Sequence, residues 1–235
     1  MSELLNLSFD DFEKPMRAVV IGASGGIGKA FVASLVEHES VGSVYACSRS
    51  GVRFESSKVV SLKADITDEE SLKKAAAKIE KDGEVNLVIV ATGTLHENNL
   101  QPEKSFKDIS LANFSHLFLI NSVGPALAAK HFLPLIPRNQ KSVFAMLSAR
   151  VGSISDNRLG GWYAYRASKA ALNMIIKNLA IEVARKNKQA IVAGLHPGTV
   201  DTDLSKPFQA NVPEGKLFTP EYSARMMLNV LSGLS

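Results

Sequence analysis

The chain has 235 residues, of which 46% are hydrophobic and 21% are charged, and its formal net charge at pH 7 is +4. This composition excludes a disordered chain, and no apolar run reaches the roughly 18 residues that a membrane-spanning helix needs. The single cysteine, Cys47, excludes an internal disulfide bond and favours a cytoplasmic protein. The acidic first residues indicate no secretory signal, and the basic residues are not interleaved with aromatic ones, so we expect no nucleic-acid partner.

Apolar runs typical of buried strands alternate with segments of helical periodicity along the chain. In chain order, the first half is predicted to contain a strand over Met16–Ile21, a helix carrying Ile27 to Val36, strands over Ser43–Cys47 and Val59–Leu62, a helix capped by Thr67 or Asp68, and a strand over Leu87–Ala91. A long helix is predicted to follow over Leu111–Leu133, bent at Pro125. The remaining elements are a strand over Ser142–Leu147, a helix over Trp162–Lys186, a strand over Ala190–Leu195 and a helix over Pro220–Leu231.

This alternation predicts an α/β fold, a doubly wound parallel sheet covered by helices on both faces, in one domain over residues 1–235. No seventh strand is evident after the last helix. Ligands of such sheets bind beyond the carboxyl ends of the strands. The loops of interest therefore begin at Gly22, Ser48, Asp65, Thr92, Ser148 and His196.

A glycine-rich loop joins the first strand to the first helix and reads Gly22-Ala23-Ser24-Gly25-Gly26-Ile27-Gly28. Glycines let the backbone turn sharply and approach a ligand closely, and a helix N-terminus offers N–H donors and partial positive charge to an anion. A plain tight turn would have the same composition. The position between a strand and a helix favours a pyrophosphate site.

The spacing Gly22, Gly26 and Gly28 resembles the tyrosine-dependent short-chain dehydrogenase/reductase family, and the resemblance extends over residues 16 to 231. Asp65, Asn121, Ser148, the Tyr165-x-x-x-Lys169 motif and the segment after His196 occur in the family's order, most like the small C-factor-like members. The resemblance implies a Rossmann-like fold and a catalytic set of Ser148, Tyr165, Lys169 and Asn121. It implies a cofactor site formed by Gly22, Ser24, Gly25, Gly26, Ile27, Gly28, Ser48, Arg49, Asp65, Ile66, Ala91, Thr92, Gly93, Tyr165, Lys169, Pro197, Gly198, Val200 and Thr202.

Two features depart from the family pattern. The family's Asn-Asn-Ala-Gly after the fourth strand is replaced by Val90-Ala91-Thr92-Gly93, so the support that asparagine gives the sheet is absent. The missing seventh strand leaves one edge of the sheet and part of the pocket wall unassigned.

The predicted chemistry is proton transfer by Tyr165 during hydride transfer between a nicotinamide and a carbonyl or alcohol. Tyr165 and Lys169 are four residues apart, so their side chains share one face of a helix. A neighbouring cation lowers the pKa of a tyrosine, which is about 10 in isolation. Ser148 is expected to bind the substrate oxygen, and Asn121 to hold a water that links Lys169 to solvent. Without the other motifs, Tyr-x-x-x-Lys would indicate an ordinary surface pair.

The choice of cofactor depends on the end of the second strand, where an acid would bind the ribose of NAD. The chain has Ser48 and Arg49 there, which can bind a 2′-phosphate, so NADP is favoured over NAD. Gly25 is evidence against this, because many NADP-using relatives carry a basic residue at that loop position.

A short lid is expected at about 203–219, and its apolar residues suit a modest-sized apolar ligand. His96 and His196 fall in strand-end loops and either line the pocket or serve only the fold, Trp162 is expected to form pocket wall, and no histidine spacing indicates a metal site.

The helix over Trp162–Lys186 carries apolar residues on two sides. Leu172, Ile176 and Val183 lie on the side expected to cover the sheet, whereas Met174 and Ile181 lie opposite. A second apolar face predicts a homodimer or a higher homo-oligomer, unless the lid or the Leu111–Leu133 helix covers it. An alternative to an enzyme is a C-factor-like signalling or regulatory protein that binds the nucleotide with little turnover.

Overall fold

In the computed structural model, which describes residues 8–97 and 100–235, six strands form one parallel sheet. The strands are β1 (Met16–Ile21), β2 (Val41–Ser48), β3 (Val59–Lys63), β4 (Leu87–Val90), β5 (Ser142–Leu147) and β6 (Ala190–Leu195). Their order is β3-β2-β1-β4-β5-β6, and every neighbouring pair is parallel. This doubly wound order confirms the predicted fold class.

Helices cover both faces of the sheet, which gives the predicted three layers. They are α1 (Gly26–Glu37), α2 (Glu69–Glu80), α3 (Leu111–Phe118), α4 (Gly124–Phe132), α5 (Tyr163–Lys186) and α6 (Pro220–Ser232). Alternate strand residues serve two cores: Val143 and Ala145 pack in the core with α1 and α6, and Phe144 and Met146 in the core with α2, α4 and α5. In the part of the chain that the structure describes, no helix is both long and apolar enough to cross a bilayer.

The prediction of one helix over Leu111–Leu133 is wrong. The segment contains α3, a π-helical turn over Leu119–Val123, α4 and a 3-10 turn over Leu133–Leu135. Pro125 has no N–H with which to bond the carbonyl of Asn121, four residues before it. At the same place, the N–H of Gly124 bonds the carbonyl of Leu119, five residues before it. Immediately before the proline, the backbone hydrogen bond therefore spans one residue more than in an α-helix, and the helix is wider there.

Beyond β6, two short strands form a separate parallel pair and do not join the sheet. They are β7 (Thr199–Val200) and β8 (Leu217–Phe218). The segment between them includes a 3-10 turn over Lys206–Asn211, which lies above the carboxyl ends of the sheet strands. The β7–β8 pairing therefore brings together the two ends of the segment that was predicted as a lid.

Candidate active site

The glycine-rich loop lies tightly against the backbone that follows β4. Gly22 has a φ of +91°, and a Cβ there would lie 3.0 Å from the carbonyl carbon of Ala91 and from the side chain of Thr92. A Cβ on Gly28 would lie 2.1 Å from the carbonyl oxygen of Gly22. These positions accept only glycine, because any larger residue would push the first turn of α1 away from the strand ends.

Two cavities meet at this loop, above the carboxyl ends of the strands. The first has a volume of about 170 Å³ and is lined by Gly22, Ser24, Gly25, Ser48, Arg49, Ala64, Asp65, Ile66, Thr67, Ala91, Thr92, Gly93, Thr94, Glu97 and Ile120. The second has a volume of about 490 Å³ and is lined by Ser24, Gly25, Gly26, Ile27, Gly28, Lys29, Ala91, Gly93, Asp201, Thr202, Asp203, Leu204 and Lys206. Because they share Ser24, Gly25, Ala91 and Gly93, together they form one elongated cleft.

Basic and hydroxyl groups lie at the end of β2, in the first cavity. Arg49 is exposed and makes no hydrogen bond or ion pair with any residue in 8–97 or 100–235. The Ser48 hydroxyl accepts a hydrogen bond from the N–H of Val52 at 3.0 Å, which leaves its own proton free. The Asp65 carboxylate accepts from both the N–H and the hydroxyl of Thr67. Arg49 is therefore available to an anion at this end of the cleft.

Tyr165 and Lys169 lie on the inner face of α5 and are both buried, with relative exposures of 8% and 3%. The Lys169 ammonium donates a hydrogen bond to the carbonyl of Leu147 at 2.9 Å and lies 6.0 Å from the centroid of the Tyr165 ring. Burial raises the pKa of Tyr165 to about 12 and lowers the pKa of Lys169 to about 8. Desolvation of the phenol is the cause of this raised pKa, and its direction is opposite to the lowering that the sequence predicts from Lys169.

Asn121 lies in the π-helical turn and is fully buried. Its side-chain carbonyl accepts from the N–H of Thr94, and its amide donates to the carbonyl of Thr94 and to the hydroxyl of Ser168. These bonds tie the loop after β4 to α5. A Cβ on Gly93 would lie 3.4 Å from the Lys169 ammonium and 3.5 Å from the Asn121 side-chain oxygen. Gly93 therefore connects the cleft to Lys169 and Asn121.

Ser148 follows β5, and its hydroxyl is directed to α5. It donates to the side-chain carbonyl of Asn173 at 2.6 Å, and the amide of Asn173 donates to the carbonyl of Gly152. The next residue, Ala149, packs against the apolar cluster that contains Tyr165. The Ser148 proton is therefore engaged within the protein.

The segment predicted as a lid packs near Tyr165 through aromatic rings. Phe208 makes edge contacts with Trp162 at 5.0 Å and with His96 at 5.7 Å between ring centroids, and Trp162 makes one with Tyr165 at 6.2 Å. The His96 ring nitrogen lies 3.2 Å from the carbonyl oxygen of Leu204. Trp162 packs between Phe208 and Tyr165 but lines neither of the two cavities, so its place in the pocket wall stays a prediction; the surroundings of Tyr165 are apolar.

Most of the residues predicted to bind the cofactor line the cleft, but five do not: Tyr165 and Lys169, which are buried on α5, and Pro197, Gly198 and Val200. Gly198 lies against the Phe218 ring, Val200 is a buried residue of β7, and the carbonyl of Pro197 accepts from the hydroxyl of Ser223. Pro197, Gly198 and Val200 lie just before or within β7, which pairs with β8 and not with the six-stranded sheet. Sequence reasoning omitted several residues that do line the cleft, namely Lys29, Ala64, Thr67, Thr94, Glu97, Ile120, Asp201, Asp203, Leu204 and Lys206. Most of these immediately neighbour a motif residue, which is the signal that could have identified them.

The comparisons with known proteins agree with this geometry. The family model described as short chain dehydrogenase matches residues 16–213. C-signal of Myxococcus xanthus is 35% identical over 128 residues, which cover 54% of this chain and 72% of that protein. The 1-hydroxy-2-glutathionyl-2-methyl-3-butene dehydrogenase of Rhodococcus sp. (strain AD45) is 30% identical over 220 residues, which cover 92% of this chain and 91% of that protein.

A solved structure is similar over the full length of the chain. NADPH-bound carbonyl reductase from chicken fatty liver matches with a TM-score of 0.79 and 26% identity, and the match covers 100% of this chain and 93% of that one. The resemblance predicted from the glycine spacing and the Tyr165-x-x-x-Lys169 motif is thereby confirmed. The chain belongs to the short-chain dehydrogenase family and is an oxidoreductase that acts on a CH–OH or C=O group with a nicotinamide cofactor.

Proposed function

We propose that the protein is an NADP-dependent reductase of small apolar carbonyl compounds, with Tyr165 as the general acid. The observation that carries this proposal is the buried Tyr165–Lys169 pair, whose ammonium lies beside Gly93 of the cleft. Burial raises the pKa of this phenol and keeps it protonated at neutral pH, so its proton is present for transfer to a carbonyl oxygen on which negative charge develops.

The cleft fits a dinucleotide. Gly22 and Gly26 leave space that a Cβ would fill, and the buried hydroxyl of Thr92 has no partner among the described residues. We propose that the glycine loop binds the pyrophosphate, that Asp65 and Ile66 contact the adenine, and that Arg49 and Ser48 bind a 2′-phosphate. When bound, the nicotinamide supplies or accepts the hydride.

The remaining chemistry belongs to the side chains of the chain itself. In the reduction direction, the Tyr165 hydroxyl donates its proton to the substrate oxygen as negative charge develops there. Lys169 stabilises the phenolate that results, because it is the nearest cation on the same helix face. We propose that the carbonyl of Asn121, which Pro125 cannot bond, holds a water that returns the proton.

The apolar cluster around Tyr165 supports an apolar substrate. Leu95, Leu117, Phe114, Val151, Trp162, Leu204 and Phe208 pack in it. These aliphatic and aromatic side chains favour an apolar substrate, because a charged group buried among them would lose its hydration.

A panel of small carbonyl compounds tests this proposal. We expect the purified protein to oxidise NADPH in the presence of at least one of acetophenone, benzaldehyde, cyclohexanone and 1-phenylpropane-1,2-dione. The alternative, a regulatory protein that binds the nucleotide with little turnover, is favoured only by the similarity to C-signal. NADPH binding in a fluorescence titration, combined with no oxidation above the rate without protein, would support that alternative.

A first prediction concerns Ser148, which we propose to bind the substrate oxygen. Its proton is held by Asn173, so donation to a substrate must replace one hydrogen bond by another. We therefore expect Ser148→Ala to lower kcat by less than about tenfold, the scale of one neutral hydrogen bond. Steady-state kinetics beside Ser148→Thr, which keeps the hydroxyl, measure this. A loss as large as that of Tyr165→Phe contradicts it.

A second prediction concerns assembly. Met174 and Ile181 on α5 are 61% and 42% exposed in the single chain, so neither the lid nor α3 and α4 cover this face. Leu111 and Val123 are exposed as well. We propose that a second copy packs here across a two-fold axis.

Light scattering measures the assembly. The wild type should run as a dimer or a larger oligomer at micromolar concentration. Met174→Glu should dissociate it, because two carboxylates would face each other in an apolar contact. Met174→Leu keeps the volume and should stay associated. A monomeric wild type contradicts the proposal.

A further inference from the structure

A buried carboxylate that is absent from the catalytic motifs lies beneath the start of α5. Glu103 is 2% exposed and forms no ion pair with any cation in residues 8–97 or 100–235. One of its oxygens accepts from the side-chain amide of Asn113 on α3, and the other accepts from the N–H of Ala164 on α5 at 3.2 Å. The carbonyl of Glu103 also accepts from the N–H of Trp162 at 2.6 Å.

Helix α5 lacks the usual means of stabilising its own N-terminus. The residue before its first turn is Trp162, which has a φ of +50° and gives no side-chain cap, and the first turn carries no acidic residue. The first N–H groups of a helix need acceptors and favour negative charge. Glu103, about sixty residues earlier in the chain, supplies both.

The position of this contact matters because Ala164 directly precedes Tyr165. Both therefore belong to the first turn of α5, and two hydrogen bonds tie the start of this helix to Glu103. Asn113 fixes the opposite oxygen of the carboxylate, so the turn is tied to α3 as well. Loss of the carboxylate would leave the N–H of Ala164 and the amide of Asn113 without acceptors in a buried region.

We infer that Glu103 is a positioning residue, which holds the first turn of α5 so that the Tyr165 hydroxyl meets the substrate oxygen. The inference rests on the proposed function. Small displacements of a proton donor slow the chemical step strongly, whereas cofactor binding depends on groups elsewhere in the cleft.

Three substitutions distinguish the effect of the length of the Glu103 side chain from the effect of its charge. Glu103→Ala removes both acceptors. Glu103→Asp keeps the charge but is one methylene shorter, so it cannot reach Asn113 and Ala164 together. Glu103→Gln keeps the length of the side chain, and its carbonyl can accept from the N–H of Ala164. Its amide can donate to the side-chain oxygen of Asn113 once the Asn113 side chain rotates. That oxygen has no partner among the described residues.

The experiment measures kcat, KM for NADPH and the number of NADPH sites per chain, with 1-phenylpropane-1,2-dione or another panel compound that the wild type reduces. We expect Glu103→Ala to lower kcat about tenfold and Glu103→Asp at least threefold, with the KM for NADPH and one site per chain unchanged. Glu103→Gln should retain kcat within about twofold of the wild type.

Asp108→Ala is the matched control. Asp108 is exposed, and its carboxylate caps the short turn over Phe106–Asp108 in the same segment without contacting α5. This variant should keep the wild-type kcat.

Three outcomes overturn the inference. One is full kcat in Glu103→Asp, which folds even if Glu103→Ala does not. Another is failure of Glu103→Gln to restore kcat, and the third is an equal loss in Asp108→Ala. A wild type that reduces none of the four carbonyls contradicts the proposed function instead, and this is known before any variant is made.

Discussion

Replacement of Tyr165 by phenylalanine should lower kcat for carbonyl reduction by at least about 100-fold, the lower range for loss of a general acid. The change removes one hydroxyl and keeps the ring, so the packing against Trp162 is preserved. The buried phenol is the only proton donor that the proposal places on the substrate oxygen besides Ser148. Because its pKa is about 12, the Tyr165 hydroxyl stays protonated at neutral pH. Deprotonation of Tyr165 should therefore not lower kcat for reduction between pH 6 and 8.

Tyr163→Phe is the matched control. Tyr163 lies in the same first turn of α5, but the residue four positions later is Ala167 and not lysine. This variant should retain kcat within about twofold, and both variants should bind NADPH like the wild type in a fluorescence titration. Turnover by Tyr165→Phe at the wild-type rate, on any carbonyl that the wild type reduces, contradicts the assignment of Tyr165.

The strands were the most predictable part of the fold. A strand that is buried on both faces must be apolar throughout, and β4 and β5 read as such runs in the sequence. The limits of β2 were less predictable. This strand begins at Val41, two residues before the predicted start, because Val41 pairs with Met16 of β1. The register of the two strands is irregular there and includes the exposed Gly42. Such pairing depends on a neighbouring strand and has no local signal.

The helix around Asn121 shows a different limit. Apolar periodicity predicted one helix through Pro125, and a bend was the expected effect of the proline. The structure instead widens the helix into a π turn, which places Asn121 where its amide bonds both backbone groups of Thr94. Local propensity does not choose between a bend and a π turn, because the choice depends on contacts with the loop after β4.

For the candidate site, motifs identified the residue types but not their contacts. The Tyr165-x-x-x-Lys169 spacing predicted a shared helix face, which α5 has. It also suggested that the ammonium lowers the pKa of the phenol, whereas the ammonium bonds the carbonyl of Leu147 and burial dominates. The bonds of Glu103 to α5 and of Ser148 to Asn173 join residues far apart in sequence, so no spacing could have predicted them.

Replacement of Arg49 by alanine should remove most of a preference for NADPH over NADH. The guanidinium is exposed in the first cavity, makes no bond to any residue in the described ranges, and follows the strand whose end would meet the ribose. A hydrogen bond to a charged group contributes about 1.5–3 kcal/mol, which corresponds to roughly a 10- to 100-fold preference in Kd. In Arg49→Ala the Kd for NADPH should rise by about this factor, whereas the Kd for NADH should stay nearly constant, because NADH carries no 2′-phosphate.

Arg53→Ala is the matched control, since Arg53 is an exposed arginine of the same loop that does not line the cavity. Both Kd values should be those of the wild type in this variant. Raised salt should reduce the wild-type preference as well, because the contact lies near the surface, where ions screen it. Equal Kd values for NADPH and NADH in the wild type contradict the assignment of Arg49 to the 2′-phosphate. Loss of the preference in Arg53→Ala as large as in Arg49→Ala would show that the charge of the whole loop, and not one guanidinium in contact with the phosphate, selects the cofactor.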